Sequence, residues 1–464
     1  MTEPTPGFLP GTPSPLIAEL RTRILALEAN FDALLVGDVL ATNYGDPGQA
    51  ALDAALAAIG SEQKTLVICG GDWAVTKNFP ANVAVAVVRG SRFTGEGTVD
   101  FHGPLYAGQY QIFAFTGAGH ATIAHTAVMD GVKPHWWGAI NDGVTDCTAA
   151  IQAAITAAPS QHIKLGQGAP KITDTITIAA SGTHIDGEGV VSTNIYFHPT
   201  SAKPCFVFQA SGAGTIADAS LSSMSFTGFG TYQKTAIKLV DTRRFNGRDI
   251  YIGTWTGNTS IGINVQGRDF CDLDNVNILA DKPIYIEANP HSAISLDNSD
   301  WNNMYLIPGA GQWAVTVGLD CNITSWTMNG HVACATGAGI LIWDDHDHNS
   351  GISGLIDLGH LRYEQGTDAD HFAIYIDHSM QDVVFRGVQL GDTLGKGFFF
   401  RGIWNLTRIN CSYGGTGVAL DVDDTCPDFM DINCHRNAGS SETITGLTAT
   451  LFNEGAIRSL QPTA

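Results

Sequence analysis

The 464-residue chain has no apolar run approaching the ~20 residues that a membrane-spanning helix needs, so no transmembrane segment is expected. Basic residues are scarce: 24 Lys and Arg stand against 45 Asp and Glu, a formal charge of −21. A surface of that sign repels nucleic acid and anionic membrane, and neither is expected as a partner. No CxxC pair occurs. The nine cysteines are an odd number scattered from Cys69 to Cys434, the pattern of buried free thiols made in a reducing cytoplasm. The first residues, MTEPTPGFLPGTPSP, lack the basic start and apolar core of a signal peptide, so none is expected. Only 15% of residues are charged while 53 are glycine, a balance that favours many turns over many helices.

What is present divides into five segments. Residues 1–15 are rich in Pro, Gly and Thr and read as an extended arm. Over 16–36 the apolar positions Ile17, Leu20, Ile24, Leu27, Phe31 and Leu34 alternate steps of three and four, the seam of a short coiled-coil helix. A single amphipathic helix packed on its own domain reads the same way. Asp46-Pro47 starts a second helix with Leu52, Leu56 and Ile59 on one face, and strands follow at Thr65–Cys69, Val83–Val88 and Gln111–Phe115. Residues 37–130 therefore read as a small β-rich head domain. In the stretch Lys133–Ala158, Asp142-Gly143 is a turn pair, and Thr145 or Asp146 is placed to cap a helix over 147–158. Ile151 and Ile155 give that helix one apolar patch, fit to close the first rung of a solenoid over 131–440. Residues 441–464 are left as a tail.

The solenoid reading rests on recurring strand patterns. One, apolar at every second residue, recurs as Ile237/Leu239, Ile263/Val265, Ile284/Ile286, Val315/Val317, Ile340/Ile342, Ile374/Ile376, Phe398/Phe400 and Val418/Leu420. A second, apolar-x-x-apolar-x-apolar, recurs six times from Leu273/Val276/Ile278 to Phe429/Ile432/Cys434. Each rung would turn these residues inward and stack on the next at ~4.8 Å.

Setting Val317, Ile342, Ile376 and Phe400 in one column stacks the turns Gly318-Leu319-Asp320, Trp343-Asp344-Asp345, Asp377-His378-Ser379 and Arg401-Gly402-Ile403. Asp344, Asp345 and Asp377 are then candidate catalytic carboxyls, since glycoside hydrolysis needs two of them ~5–5.5 Å apart for retention or ~6.5–9.5 Å for inversion. Trp343 would be a sugar platform with His378 beside it. A rival cluster aligns His360, Asp392, Tyr413 and Arg436, flanked by Arg362, Tyr363 and Glu364, where Glu364 is the substitute acid. Trp301, in the turn after Asp297-Asn298-Ser299-Asp300, is a further candidate platform. Asp-rich turns also arise simply because Asp bonds its own backbone. No cofactor is expected; the run Asp344–His348 admits calcium as the other reading. Between Pro283 and Phe400 the only basic residues are Arg362, Arg386 and Lys396, which disfavours a lyase acting on polyuronates.

The words WWGAINDGVTDCTAAIQAAI resemble the opening motif of the pectate-lyase-like right-handed β-helix of bacteriophage tail spikes, usually close to GAxGDGxxDDTxAIQxAI. Here Asn141 replaces a Gly and Cys147 the second Asp. GTVDFHGPLYAGQYQIF is similar to the segment that often precedes that fold in phage tail proteins, and Arg23 to Glu28 resembles a trimeric coiled-coil motif. The resemblance implies an all-β, right-handed parallel β-helix and a homotrimer. It also implies attachment through the N-terminal arm to a phage tail or baseplate protein, and thus a place on the virion. The target would be bacterial surface polysaccharide. Lyases, hydrolases, deacetylases and non-catalytic adhesins all occur in the family, so hydrolase, lyase and receptor-binding fibre all stand as readings.

Overall fold

The computed structural model describes residues 38–460 except 128–129, 213, 256–259, 268, 293–294, 320, 322, 324, 334–338, 345–351, 365–371, 392–395, 416, 423–425, 427–428, 437–439, 445–448 and 454–455. The arm and the coiled-coil seam therefore lie outside the described residues, as do Asp345 and Asp392. For Trp343, Asp344, His360 to Glu364 and His378, only the backbone enters the description below. The chain forms two compact units, 1–108 with 112–129, and 109–111 with 130–464.

In the first unit helix α1 spans Gln49–Ile59 and buries Ala51, Leu52, Ala55 and Ile59. Its N-cap is Gly48, two residues beyond the expected Asp46. The strands after it come in threes: Lys64–Ile68, Asp72–Ala74 and Lys77–Phe79; then Val83–Val87, Arg92–Gly95 and Thr98–Phe101; then Leu105–Tyr106, Phe113–Phe115 and His120–Ile123. Each pairs in parallel with the strand three later, giving the columns Leu66–Val85–Leu105, Trp73–Phe93–Phe113 and Phe79–Phe101–Ile123. The unit is therefore a short three-sided parallel stack. Its core is aromatic: Phe79 lies on Phe101 at 4.9 Å between ring centroids, and Phe93 on Phe113 at 6.1 Å. Burying each such ring contributes about 1.5–3 kcal/mol. At the corner after the second strand of each rung the backbones nearly touch; a Cβ on Gly97 would lie 2.1 Å from the Val75 carbonyl oxygen.

In the second unit helix α2 spans Thr148–Ala157, inside the expected 147–158, and buries Ile151, Ala154 and Ile155. Asp146 Oδ1 accepts from the Thr148 amide at 3.0 Å and from its hydroxyl at 2.6 Å, fixing the helix start. From there the strands form one long parallel stack whose pairing continues through Ser441–Ile444 and Ala449–Asn453, past residue 440. An antiparallel strand, Ala456–Leu460, ends it. The early rungs use three short strands, such as His184–Asp186, Asn194–Phe197 and Lys203–Phe208; later rungs use two longer ones, such as Ile261–Gln266 and Asp269–Ala280.

Many bends, most of them within the longer strand of a rung, are asparagines or aspartates in the left-handed region, including Asp249, Asn275, Asn303, Asn405, Asn410 and Asn433. Short polar side chains tolerate this conformation. They also stack: Asn275 donates to Asp249 at 2.7 Å, Asn303 to Asn275 at 3.1 Å, and Asn433 to Asn410 at 2.8 Å. Each of these amides thus finds its partner one rung away.

The inward columns of the first strand type are Ile237–Ile263–Ile284–Val315–Leu341–Ile374–Phe398–Leu420 and Leu239–Val265–Ile286–Val317–Trp343–Ile376–Phe400–Val422. Two of the expected pairs are displaced. Leu341/Trp343 takes the place of Ile340/Ile342, and Leu420/Val422 that of Val418/Leu420. Among the described residues Cys69, Cys147, Cys205, Cys271, Cys321, Cys411, Cys426 and Cys434 form no disulfide, and six of them are buried.

Candidate functional site

The corrected register rearranges the acidic turns. Because Trp343 and not Ile342 is level with Ile376, Asp344 lies directly on Asp377, and Asp377 on Arg401. The expected alignment had set Trp343 level with Asp377; at its real register position Trp343 shares a column with the buried Val317, Ile376 and Phe400. Asp377 is 4% exposed, and Arg401 Nη1 approaches its Oδ2 at 3.1 Å. The count of basic residues that disfavoured a lyase stopped one residue before this arginine.

Beside that column runs the outward one, Asn264–Tyr285–Thr316–Ile342–Tyr375–Phe399–Asp421. Tyr375 and Phe399 stack at 4.6 Å and 6°, Phe372 lies 5.3 Å from Phe399, and Arg401 sits over Phe399 at 5.3 Å. These half-buried rings form an apolar ledge along the ion pair. Aromatic surface of this kind offers a sugar's C–H face a place to pack, while polar edges fix its orientation. Trp404, three residues beyond Arg401, is 56% exposed.

Polar residues also follow the paired column on earlier rungs. Glu287 follows the inward Ile286, and its Oε2 accepts from Asn264 Nδ2 at 3.0 Å and Gln266 Nε2 at 2.5 Å. Those two amides are themselves buried. Donation to Glu287 sets the Asn264 orientation and leaves its Oδ1 buried without a partner, at a cost of about 1–3 kcal/mol. Burial first, then the Glu287 charge, pushes the Tyr285 phenol above its ordinary range. Sequence reasoning missed Glu287 and Tyr285. Continuing the aligned turns back from Val317 to Ile286 would have found them.

Other expectations fare differently. Trp301 is fully buried: it shares the column Leu273–Trp301–Met328, and its indole donates to the Cys271 carbonyl at 2.9 Å. It is a core residue and not a sugar platform. Asn298, with φ of 43°, makes the corner, so the strand has begun at Ser299 and alternation carries Trp301 inward. Part of the rival alignment is present: Tyr363, Leu390, Tyr413 and Arg436 follow one another in register, so Tyr413 and Arg436 are paired as expected. Tyr413 is 3% exposed, Arg436 approaches Glu442 at 3.5 Å, and Asp392 lies outside the described residues. Arg362 is level with His331 and Gln389, Tyr363 with Val332 and Leu390, and Glu364 with Ala333. His378 follows Asp377 in the strand Phe372–Arg386. Among the described residues no group of three His, Cys, Asp or Glu is arranged to hold a metal, and most of the run Asp344–His348 lies outside them.

No family model matches the chain, and no curated protein does. Among solved structures it is similar to ORF18 of Geobacillus virus E2, at 16% identity and a TM-score of 0.45, covering 69% of this chain and 60% of that one. It is also similar to the A-module of the Azotobacter vinelandii mannuronan C-5 epimerase AlgE6, at 12% identity and a TM-score of 0.44, covering 68% and 99%. A third is the gp42 tailspike of Acinetobacter phage vb_AbaP_AS12, at 11% identity and a TM-score of 0.44, covering 74% and 67%. The chain thus spans 60% of the length of ORF18.

Proposed function

We propose that the chain is a phage tail spike that binds a bacterial surface polysaccharide on the face carrying Asp344, Asp377 and Arg401 and cleaves it by glycoside hydrolysis. The observation that carries this reading is the register of those three residues beside the stacked Tyr375 and Phe399. One rung step of ~4.8 Å separates the two aspartate backbones, close to the ~5–5.5 Å carboxyl spacing of retaining glycosidases. Asp377, oriented by Arg401, acts as nucleophile; Asp344 protonates the leaving oxygen and then activates water. The aromatic ledge holds the adjoining sugar. A lyase would use Arg401 to pair a uronate carboxylate, but Asp377 already engages it at 3.1 Å.

The remaining parts of the reading are a homotrimer held by residues 16–36, and attachment of the arm, residues 1–15, to a tail or baseplate protein on the virion. A chain lacking residues 1–36 that still joins virions at the wild-type level overturns this part. Catalysis is tested by digesting purified capsular polysaccharides and O-antigens with the wild type, Asp344→Asn and Asp377→Asn. New reducing ends, lost in both variants and without an unsaturated product, are expected. An unsaturated product means a lyase, and binding without shortening means an adhesin.

A further inference from the structure

We infer that Tyr285 and Glu287 form a second station on this face, one that binds a neutral, hydroxyl-bearing sugar residue of the same polymer. The inference rests on the reading that the face takes a glycan. Asp344, Asp377 and Arg401 are paired in register, and on the two preceding rungs Gly318 and Glu287 hold the equivalent place, each directly after a residue of the adjoining paired column, Val317 and Ile286. The glycine is not a break in the row. A Cβ at Gly318 would lie 2.9 Å from Tyr285 Oη, so the phenol of the preceding rung leans into the space that a side chain would fill. Along this face the Glu287 carboxylate, the Tyr285 phenol, the Asp377 carboxylate and the Arg401 guanidinium follow one another, with the Asp344 backbone in register between them. From Glu287 to Arg401 it spans four steps of ~4.8 Å, roughly 19 Å, more than a disaccharide covers.

Two polar atoms at the Glu287 end are uncommitted among the described residues. Both amides hold Oε2, so Oε1 has no partner among the described residues, and neither does Tyr285 Oη. Asn264, 4% exposed, keeps an unpartnered Oδ1 on the same side chain that anchors Glu287. One carboxylate acceptor and one hydroxyl donor match the hydroxyls of a sugar ring, and the Glu287 charge opposes an anionic one. Lys282, the cation beside them, has its Nζ 5.0 Å over the Tyr285 ring. The station makes the protein a reader of polymer several residues from the bond it cuts, so its loss should weaken binding rather than chemistry.

The test uses the full chain with a panel of neutral methyl glycosides and matching uronates, followed by saturation-transfer NMR, together with kinetics on any polysaccharide the wild type shortens. Glu287→Gln keeps an acceptor for both amides and Tyr285→Phe keeps the ring; unchanged thermal melts are the folding control. A neutral glycoside should contact the wild type, lose about tenfold in affinity in both variants, and be retained by Asp377→Asn. On polysaccharide, KM should rise about tenfold with kcat within twofold. Unchanged affinity and KM in both variants, or a panel in which no glycoside contact depends on either residue, overturns the station while a cleavage defect in Asp377→Asn leaves the proposed hydrolysis standing. A polymer that is bound but uncut, with affinity lost in Glu287→Gln, overturns the hydrolysis and supports the station.

Discussion

The two stacks follow one rung geometry with different discipline. In the short stack Leu66 and Val85 are 19 residues apart, Trp73 and Phe93 are 20, and Phe79 and Phe101 are 22. In the long stack the interval swings from 20 between Met430 and Thr450 to 36 between Ile185 and Leu221. Among the described residues Ser91 is the one polar side chain buried in the short stack. The long one buries Asp377, Asn264, Gln266 and a core ion pair, Arg408 to Asp431 at 2.7 Å, with Arg408 4.8 Å over Phe398. Strand pairing tolerates insertions at the rung corners, so a stack can lengthen its loops and turn polar groups outward without losing its columns. The short stack is built for packing alone; the long stack carries costs that packing does not explain.

That contrast can be broken in graded ways. Phe101→Ala should cost the short stack about 3–5 kcal/mol, read as a fall in its denaturant midpoint, while glycan binding per folded molecule stays unchanged; loss of binding would deny the division of labour. Arg408→Met should cost the long stack about 3–5 kcal/mol by leaving Asp431 unpaired. The double variant with Asp431→Leu should regain most of it, and a double variant as unstable as the single one would show that the pair, not the orphaned charge, holds these rungs. Gly318→Ala forces Tyr285 aside at about 1–3 kcal/mol, and it should raise KM more than it lowers the melting temperature. The smallest effect is acid sensitivity in the first long rungs. Burial, then the neighbouring His162, holds His184 below its ordinary pKa. The unfolded chain therefore takes up its proton more readily, and stability is present above pH ~6.5 and declines as pH falls through that value. Amide protection factors around His184, corrected for the intrinsic pH dependence of exchange, should fall from pH 7 to pH 5, and His184→Asn should flatten the response.

How much could be read beforehand depended on how unambiguously residues alternate. At Ile284/Ile286, Val315/Val317 and Ile374/Ile376 a polar or aromatic residue separates two aliphatic ones, and the columns follow directly. At Ile340-Leu341-Ile342-Trp343 four apolar residues run together, because the outward face there is itself an apolar ledge, and the phase cannot be read from alternation. One residue of slip moved Asp344 off Asp377. Trp301 was misplaced because a turn-rich run hides where a strand begins, and Glu287 was overlooked because it lies where no acidic cluster draws attention. The three-sided stack of the first unit was legible only as scattered strands, since several of its strands are two to four residues long.

The central claim is that Asp344 and Asp377, one rung apart, cleave a glycan together. The measurement that tests it most directly is proton NMR of the freshly released reducing end during digestion of a polysaccharide that the wild type shortens, with Asp377→Asn as the control. The account predicts that the new end first appears with the anomeric configuration of the bond that was cut, and that Asp377→Asn releases none. Inverted ends, unsaturated ends, or undiminished release by Asp377→Asn would contradict it.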